Sequence, residues 1–163
     1  MASITHTVAW EEFAWPAEWG QLSGLERMKT ALAAKAPRSP IAALMDIGNM
    51  DVGEGYAKFY GNPGPQHTNP VGGVHGSFAA ALLDSACWTA AMTAMEAGEV
   101  PTTLDIKISY ARPMTAKTGQ VTCEGRLIHR GRSTALTEAK LMDGAGKLLA
   151  HATSTLMVLK PGG

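Results

Sequence analysis

The chain has 163 residues, of which 45% are hydrophobic and 17% are charged, so it is long enough for one domain with its own core. Its 14 basic and 14 acidic side chains cancel, and no basic block or stripe occurs, which argues against an electrostatic grip on nucleic acid. The opening residues "MASITHTVAWEEFAW" lack a cationic region followed by an apolar run, and no uninterrupted apolar run reaches membrane-spanning length. A cytoplasmic protein without nucleic-acid or membrane partners is therefore expected. Two cysteines in separate elements, Cys87 and Cys123, fit a reducing compartment. The histidines and cysteines show no metal-ligand spacing, so no metal and no resident cofactor is expected.

In chain order, residues 1–48 read as a helical extension. Trp10, Trp15 and Trp19 cluster there, and Leu22, Leu25, Met28 and Leu32 recur at helical spacing. Pro37 stops that helix. Ser39-Pro40 reads as an N-cap followed by a first-turn proline, opening a short helix over Ile41–Met45 that Gly48 closes. Residues 49–163 form the main domain. Val52–Gly61 reads as one strand, and a loop rich in Gly, Pro and Asn follows from Asn62 to Gly73. A long helix over Gly76–Glu96 comes next, with Gly98 as its stop. In "TTLDIKISYARP" the alternation puts Leu104, Ile106, Ile108 and Tyr110 on one face and Thr103, Asp105, Lys107 and Ser109 on the other. Strands over Gln120–His129, Ser133–Met142 and Lys147–Leu159 follow, joined by the turns "HRGR" and "DGAG". One long helix and a four-strand meander predict an α+β fold in which an antiparallel sheet wraps around a central helix. That helix is apolar on every side and the sheet has open edges, so a second copy of the chain is expected to cover what one sheet leaves bare.

One carboxylate, Asp84, interrupts the apolar run. Within a helix of this kind it either points into a local polar gap, helped by Ser85 or Thr89, or serves chemistry. The start of the same helix favours chemistry. His75-Gly76 offers unpaired N–H groups, the positive end of the helix dipole and a residue with no side chain. Those are the ingredients of an oxyanion hole. Gly76 and Asp84 are eight residues apart on one helix, about 12 Å along its axis, so one carbonyl cannot reach both in a single chain. Two helices packed antiparallel about a two-fold axis would bring Asp84 of one to Gly76 of the other.

"NPVGGVHGSFAAALLDSA" resembles the signature of the hot-dog fold acyl-CoA thioesterases, in the phenylacetate-pathway and 4-hydroxybenzoyl-CoA thioesterase branch. Asn69, Gly73, His75, Gly76 and Asp84 fit the pattern, and "TTLDIKISYARP", "HRGR" and "DGAGKLLAHATST" extend the likeness over residues 50–159. Ser77 departs from it, where the family carries a second glycine. The resemblance implies a hot-dog fold, an acyl-CoA substrate and a homodimer or homotetramer. It implies that the Gly76 N–H polarises the thioester carbonyl and that Asp84 acts as nucleophile or as general base on water. It further implies that Asn69 positions water or the carboxylate, and that a hydroxyl after the helix assists, with Thr103 at the matching position and Thr102 next to it.

Other candidates keep two readings. His75 is either a base or, the reading preferred here, a lock on the turn. Arg130 and Arg132 either fork onto a coenzyme A phosphate or sit in a solvated turn, and Arg112 is similarly placed. Phe78 belongs to the core or lines the acyl pocket, and Ser77 lies at its mouth. A module that binds acyl-CoA without cleaving it is the alternative to an enzyme.

Overall fold

The computed structural model describes residues 3–12 and 14–160, and only the backbone of Asn49 and Met50. The outermost residues of the two segments expected above, 1–2 and 161–163, lie outside this range. The described residues form three α-helices and six strands: α1 Gly24–Ala33, α2 Pro40–Leu44, β1 Ile47–Gly53, β2 Tyr56–Gly61, α3 Gly76–Met92, β3 Val100–Tyr110, β4 Val121–Arg130, β5 Thr134–Met142 and β6 Leu148–Leu159. The strands form one antiparallel sheet in the order β1-β2-β4-β5-β6-β3.

The sheet wraps α3. Phe78, Leu82, Leu83, Cys87 and Met92 on the helix are fully buried against Val121, Cys123, Leu141 and Leu156 of the strands. The closest approach is between backbones. A Cβ on Gly125 of β4 would lie 2.2 Å from the Ala86 carbonyl oxygen, so only glycine admits the helix this near the sheet. One stripe of α3 stays half-covered, with Ala80, Ala81, Asp84, Ser85 and Trp88 at the three- and four-residue spacing of a single helix face.

The edges differ from the sequence expectation in four ways. Residues 47–61 are a hairpin, β1 and β2, rather than one strand from Val52. Gly55, with φ at +62°, makes its turn, and Gly48 lies within β1 instead of closing α2. The helix ends at Met92, not Glu96, because Thr93 turns back. Its hydroxyl donates to the Ala90 carbonyl at 2.8 Å and accepts the Gly55 N–H at 2.9 Å. Gly98, at φ +80°, lies in the connection that follows. The last four strands are not a simple meander. β3 crosses to the far edge to pair with β6, and β4 pairs with β2. Finally, the pairing of β3 with β6 slips between Thr103 and Asp105, a bulge at Leu104. Leu104 is 56% exposed and does not share the half-buried side of Ile106 and Ile108.

The N-terminal part has less regular structure than expected. Among the described residues before α1, only Ala17–Gln21 is helical, in a 3-10 turn. It is held by a buried arginine: Arg27 Nε donates to the Trp19 carbonyl at 3.0 Å and Nη2 to that of Leu22 at 3.3 Å, with the guanidinium 5.5 Å from the Trp15 ring centre. α1 opens on a capping box in which Ser23 and Glu26 satisfy each other's backbone N–H. The Gly24 N–H donates to the Met95 carbonyl at 2.8 Å, tying α1 to the end of α3. Ser39 caps α2 as the sequence implies.

The helix-to-sheet contact yields a direct expectation. Gly125→Ala forces α3 and β4 apart and should lower stability by about 2–3 kcal/mol, the scale of an overpacked core. Chemical denaturation of the two proteins side by side measures it, and an unchanged midpoint would contradict the close approach.

Candidate active site

The geometry is built on the pairing of α3 with β3, which run in opposite directions. The Trp88 indole N–H donates to the Pro101 carbonyl at 2.7 Å, the Thr103 hydroxyl donates to Asp84 Oδ1 at 3.0 Å, and the Tyr110 hydroxyl donates to the Gly76 carbonyl at 3.2 Å. Asp84 thus has a hydroxyl partner from the strand after the helix, and that partner is Thr103, not Thr102. The bulge at Leu104 makes this possible. It shifts the alternation by one residue, so Thr103 faces the helix together with Ile106 and Ile108. Asp84 Oδ2 has no hydrogen-bond partner among the described residues.

At the helix start every amide but one is spoken for. The His75 N–H donates to the His67 carbonyl at 2.8 Å, the Ser77 N–H to His75 Nδ1 at 3.1 Å, and the Phe78 N–H to the His75 carbonyl at 3.0 Å. The Gly76 N–H has no acceptor among the described residues. His75 is therefore the N-cap of α3. Its Nδ1 also lies 2.8 Å from Ser77 Oγ, so the imidazole locks the turn. Asn69 builds the approach to it, its Oδ1 accepting the N–H groups of Val71 and Gly73 at 3.1 and 3.2 Å.

The remaining candidates separate. Phe78 is 1% exposed and stacks on the buried His67 ring, 4.8 Å between centres, which is a core position. Arg112 is exposed, with Nη1 donating to the Leu148 carbonyl at 2.6 Å, beside a depression of about 360 Å³ that runs from Gly76 and Tyr110 to Met114. Arg132 is exposed and has no ion pair among the described residues. Arg130 is committed elsewhere: Nη2 contacts Glu99 at 2.7 Å, Nη1 donates to the Gly131 carbonyl, and Lys160 Nζ reaches the other Glu99 oxygen at 3.4 Å. Burial by itself would push the Glu99 carboxyl up. Hydrogen bonds from Arg130 and from the Glu96 N–H, with the nearby Arg130 and Lys160 charges, outweigh it and hold the group below the ordinary glutamate value. The cysteines offer no competing nucleophile. Burial raises Cys87 to about 11 and Cys123 well above its ordinary value, so both are thiols at neutral pH.

Two participants escape sequence reasoning. Tyr110 covers Gly76 so closely that a Cβ there would lie 3.1 Å from its hydroxyl; its only sequence signal is its place in the strand's alternation. Glu99, as partner of Arg130, has none.

The profile of the Thioesterase superfamily matches residues 71–150, a span holding Gly76, Asp84 and Thr103. The 1,4-dihydroxy-2-naphthoyl-CoA hydrolase of Listeria monocytogenes is 32% identical over 91 residues, 56% of this chain and 72% of that protein. Human acyl-coenzyme A thioesterase 13 is 33% identical over 92 residues, and the match spans 55% of this chain and 64% of that protein's length. Among solved structures, a phenylacetic acid degradation-related protein of Ralstonia eutropha superposes with a TM-score of 0.71 at 30% identity, over 82% of this chain and 98% of that one. The chain belongs to the thioesterase superfamily, and its wrapped helix is the hot-dog fold of that family.

The Glu99 cluster has a pH signature. Because its folded pKa is depressed, its contribution is complete above the ordinary glutamate range and is lost as pH falls through the folded value. Glu99→Gln should cost about 2 kcal/mol at neutral pH, the scale of a hydrogen bond to a charged group. That deficit should shrink on acidification. Melting temperatures of both proteins across a pH series test it, and a deficit constant down to strong acid would refute the assignment.

Proposed function

We propose that the protein hydrolyses an acyl-CoA thioester, with Asp84 as nucleophile or as general base on water and the Gly76 N–H as oxyanion donor. One observation carries the reading: a carboxylate on the half-covered stripe of an otherwise apolar helix, held by Thr103, on the same helix whose first N–H is free. A thioester suits so small a set. Its carbonyl is electrophilic and a thiolate leaves readily, so one carboxylate and one preorganised donor suffice. Thr103 fixes Oδ1 and leaves Oδ2 for water or the acyl carbon. The relatives' names support the same substrate class, since two of them are a CoA-ester hydrolase and an acyl-CoA thioesterase.

The working site combines two copies of the chain. Gly76 and Asp84 stand about 12 Å apart along one helix, too far for one carbonyl. β3 is a sheet edge with one side unpaired, and α3 runs antiparallel to it. A two-fold axis near the middle of β3 would set Asp84 and Thr103 of one copy against Gly76 and Tyr110 of the other, and would cover the Ala80, Ala81 and Ser85 stripe. The phosphates of coenzyme A are assigned to Arg132 and Arg112, because Arg130 is occupied by Glu99.

Two variants dissect the site. Asp84→Asn keeps shape and removes charge, and Gly76→Pro deletes the free N–H at a first-turn position where proline is tolerated, with Gly76→Ala, which keeps the N–H, as the control for crowding against Tyr110. Both variants should fold and lose roughly 10²–10³-fold in turnover, by free-thiol release from aromatic, short and long acyl-CoA substrates. Mixed after subunit exchange, they should regain up to one working site per heterodimer. Full activity in Asp84→Asn would end the catalytic reading. Exchange without recovery would end the composite one.

A further inference from the structure

The sheet edge opposite β3 carries a second cavity. It lies between α1, α2 and the β1–β2 hairpin and has a volume of about 450 Å³, within the range of small-molecule sites. Trp15, Met28, Leu32 and Phe59 give it an apolar body. Its polar lining residues are Lys35, Arg38, Ser39 and Tyr60; the Ser39 hydroxyl is engaged as the α2 cap, and the Tyr60 hydroxyl has no hydrogen-bond partner among the described residues.

Two details identify the ligand class. The first is charge. Arg38 is neutralised by Asp46 at 3.1 Å, while Lys35 has no ion pair among the described residues, so the cavity offers one net positive charge. That suits a single acidic head group and not the several phosphate charges of a nucleotide. The second is the backbone. α1 ends in a two-bond Schellman turn, with the Ala36 N–H on the Ala31 carbonyl at 2.9 Å and the Lys35 N–H on that of Leu32 at 3.0 Å. This turn requires a left-handed residue, where glycine is at ease, yet the residue is Lys35 at φ +50°. A lysine held in a costly conformation at the rim of an apolar cavity is strain retained at a position where its ammonium is useful.

We propose that this cavity binds an amphipathic carboxylate: an alkyl or aromatic body against Trp15, Met28 and Phe59, and a carboxylate on Lys35 with the Tyr60 hydroxyl. The site is separate from Gly76 and Asp84 and does not depend on the hydrolytic reading. If that reading holds, a free acid of this kind is also the reaction's product, and the cavity would bind it.

The test is a titration of isotope-labelled protein with sodium decanoate and with sodium 2-naphthoate, following the Trp15 indole N–H resonance, which is identified by its loss in Trp15→Phe. Decanol is the neutral control. At least one carboxylate should shift the Trp15 signal saturably, and decanol should bind about tenfold more weakly, the value of one charge-assisted hydrogen bond. Which acid saturates first tells an alkyl from an aromatic body. Lys35→Gly should raise the melting temperature, because the strain is relieved, yet weaken carboxylate binding by about tenfold. Tyr60→Phe should weaken it as well. Equal binding of decanol, or undiminished binding by Lys35→Gly, overturns the proposal. So do shifts that leave Trp15 still and gather around Gly76 and Asp84, which would assign the acid to the hydrolytic site instead.

Discussion

The contact between Gly125 and the Ala86 carbonyl sets the rest of the molecule. It lets α3 sink onto β4 until backbone nearly meets backbone, and it fixes the helix in height and rotation relative to the sheet. With the rotation fixed, the bulky apolar residues turn into the wrap, and the stripe of Ala80, Ala81, Asp84, Ser85 and Trp88 remains at its open side. Asp84 avoids full desolvation because of this. A carboxylate at position 83, where Leu83 is fully buried, would have to surrender its charge or the fold its stability.

The same rotation aligns α3 with β3, and three hydrogen bonds record the alignment from end to end. Trp88 to Pro101, Asp84 to Thr103 and Gly76 to Tyr110 act as rungs between helix and edge strand. They set the parts of the proposed site at opposite ends of β3, a carboxylate with its hydroxyl near one end and an open amide with its aromatic cover near the other. A single chain holds both halves and brings neither to the other. In the proposed two-copy site, the edge of β3 that has no strand partner among the described residues is where the two halves would meet.

The opposite edge is organised differently. There the sheet ends in the β1–β2 hairpin, and α1 and α2 close over it with help from Arg27, whose buried guanidinium gathers the carbonyls of the preceding turn. The polar atoms of this region serve two ends. Arg27, Ser23 and Ser39 satisfy backbone groups and hold the segment down, whereas the Lys35 ammonium and the Tyr60 hydroxyl have no hydrogen-bond or ion-pair partner among the described residues and both residues line a cavity.

The sequence alone was enough for the elements whose periodicity is strong or whose turn chemistry is specific. The long apolar helix starting at Gly76, the strands β4 to β6, the "DGAG" turn and the Ser39-Pro40 cap were legible because local residues decide them, and from those elements came the α+β sheet wrapped around one helix; the hot-dog fold was implied by the resemblance of the Asn69–Asp84 stretch. The His75-Gly76 and Asp84 candidates were legible because a carboxylate within an apolar helix and a side-chain-free helix start are unusual wherever they occur. What needed tertiary structure was everything that depends on partners distant in the chain. The crossing of β3 to β6 follows from which edges the helix leaves open, not from strand propensity. The bulge at Leu104 reverses a regular alternation, and only the cross-strand register reveals that Thr103 rather than Leu104 faces the helix. The splitting of β1 from β2, the diversion of Arg130 to Glu99 and the cover of Tyr110 over Gly76 belong to the same class. Each is a contact between residues far apart in sequence, and no local preference encodes such a contact.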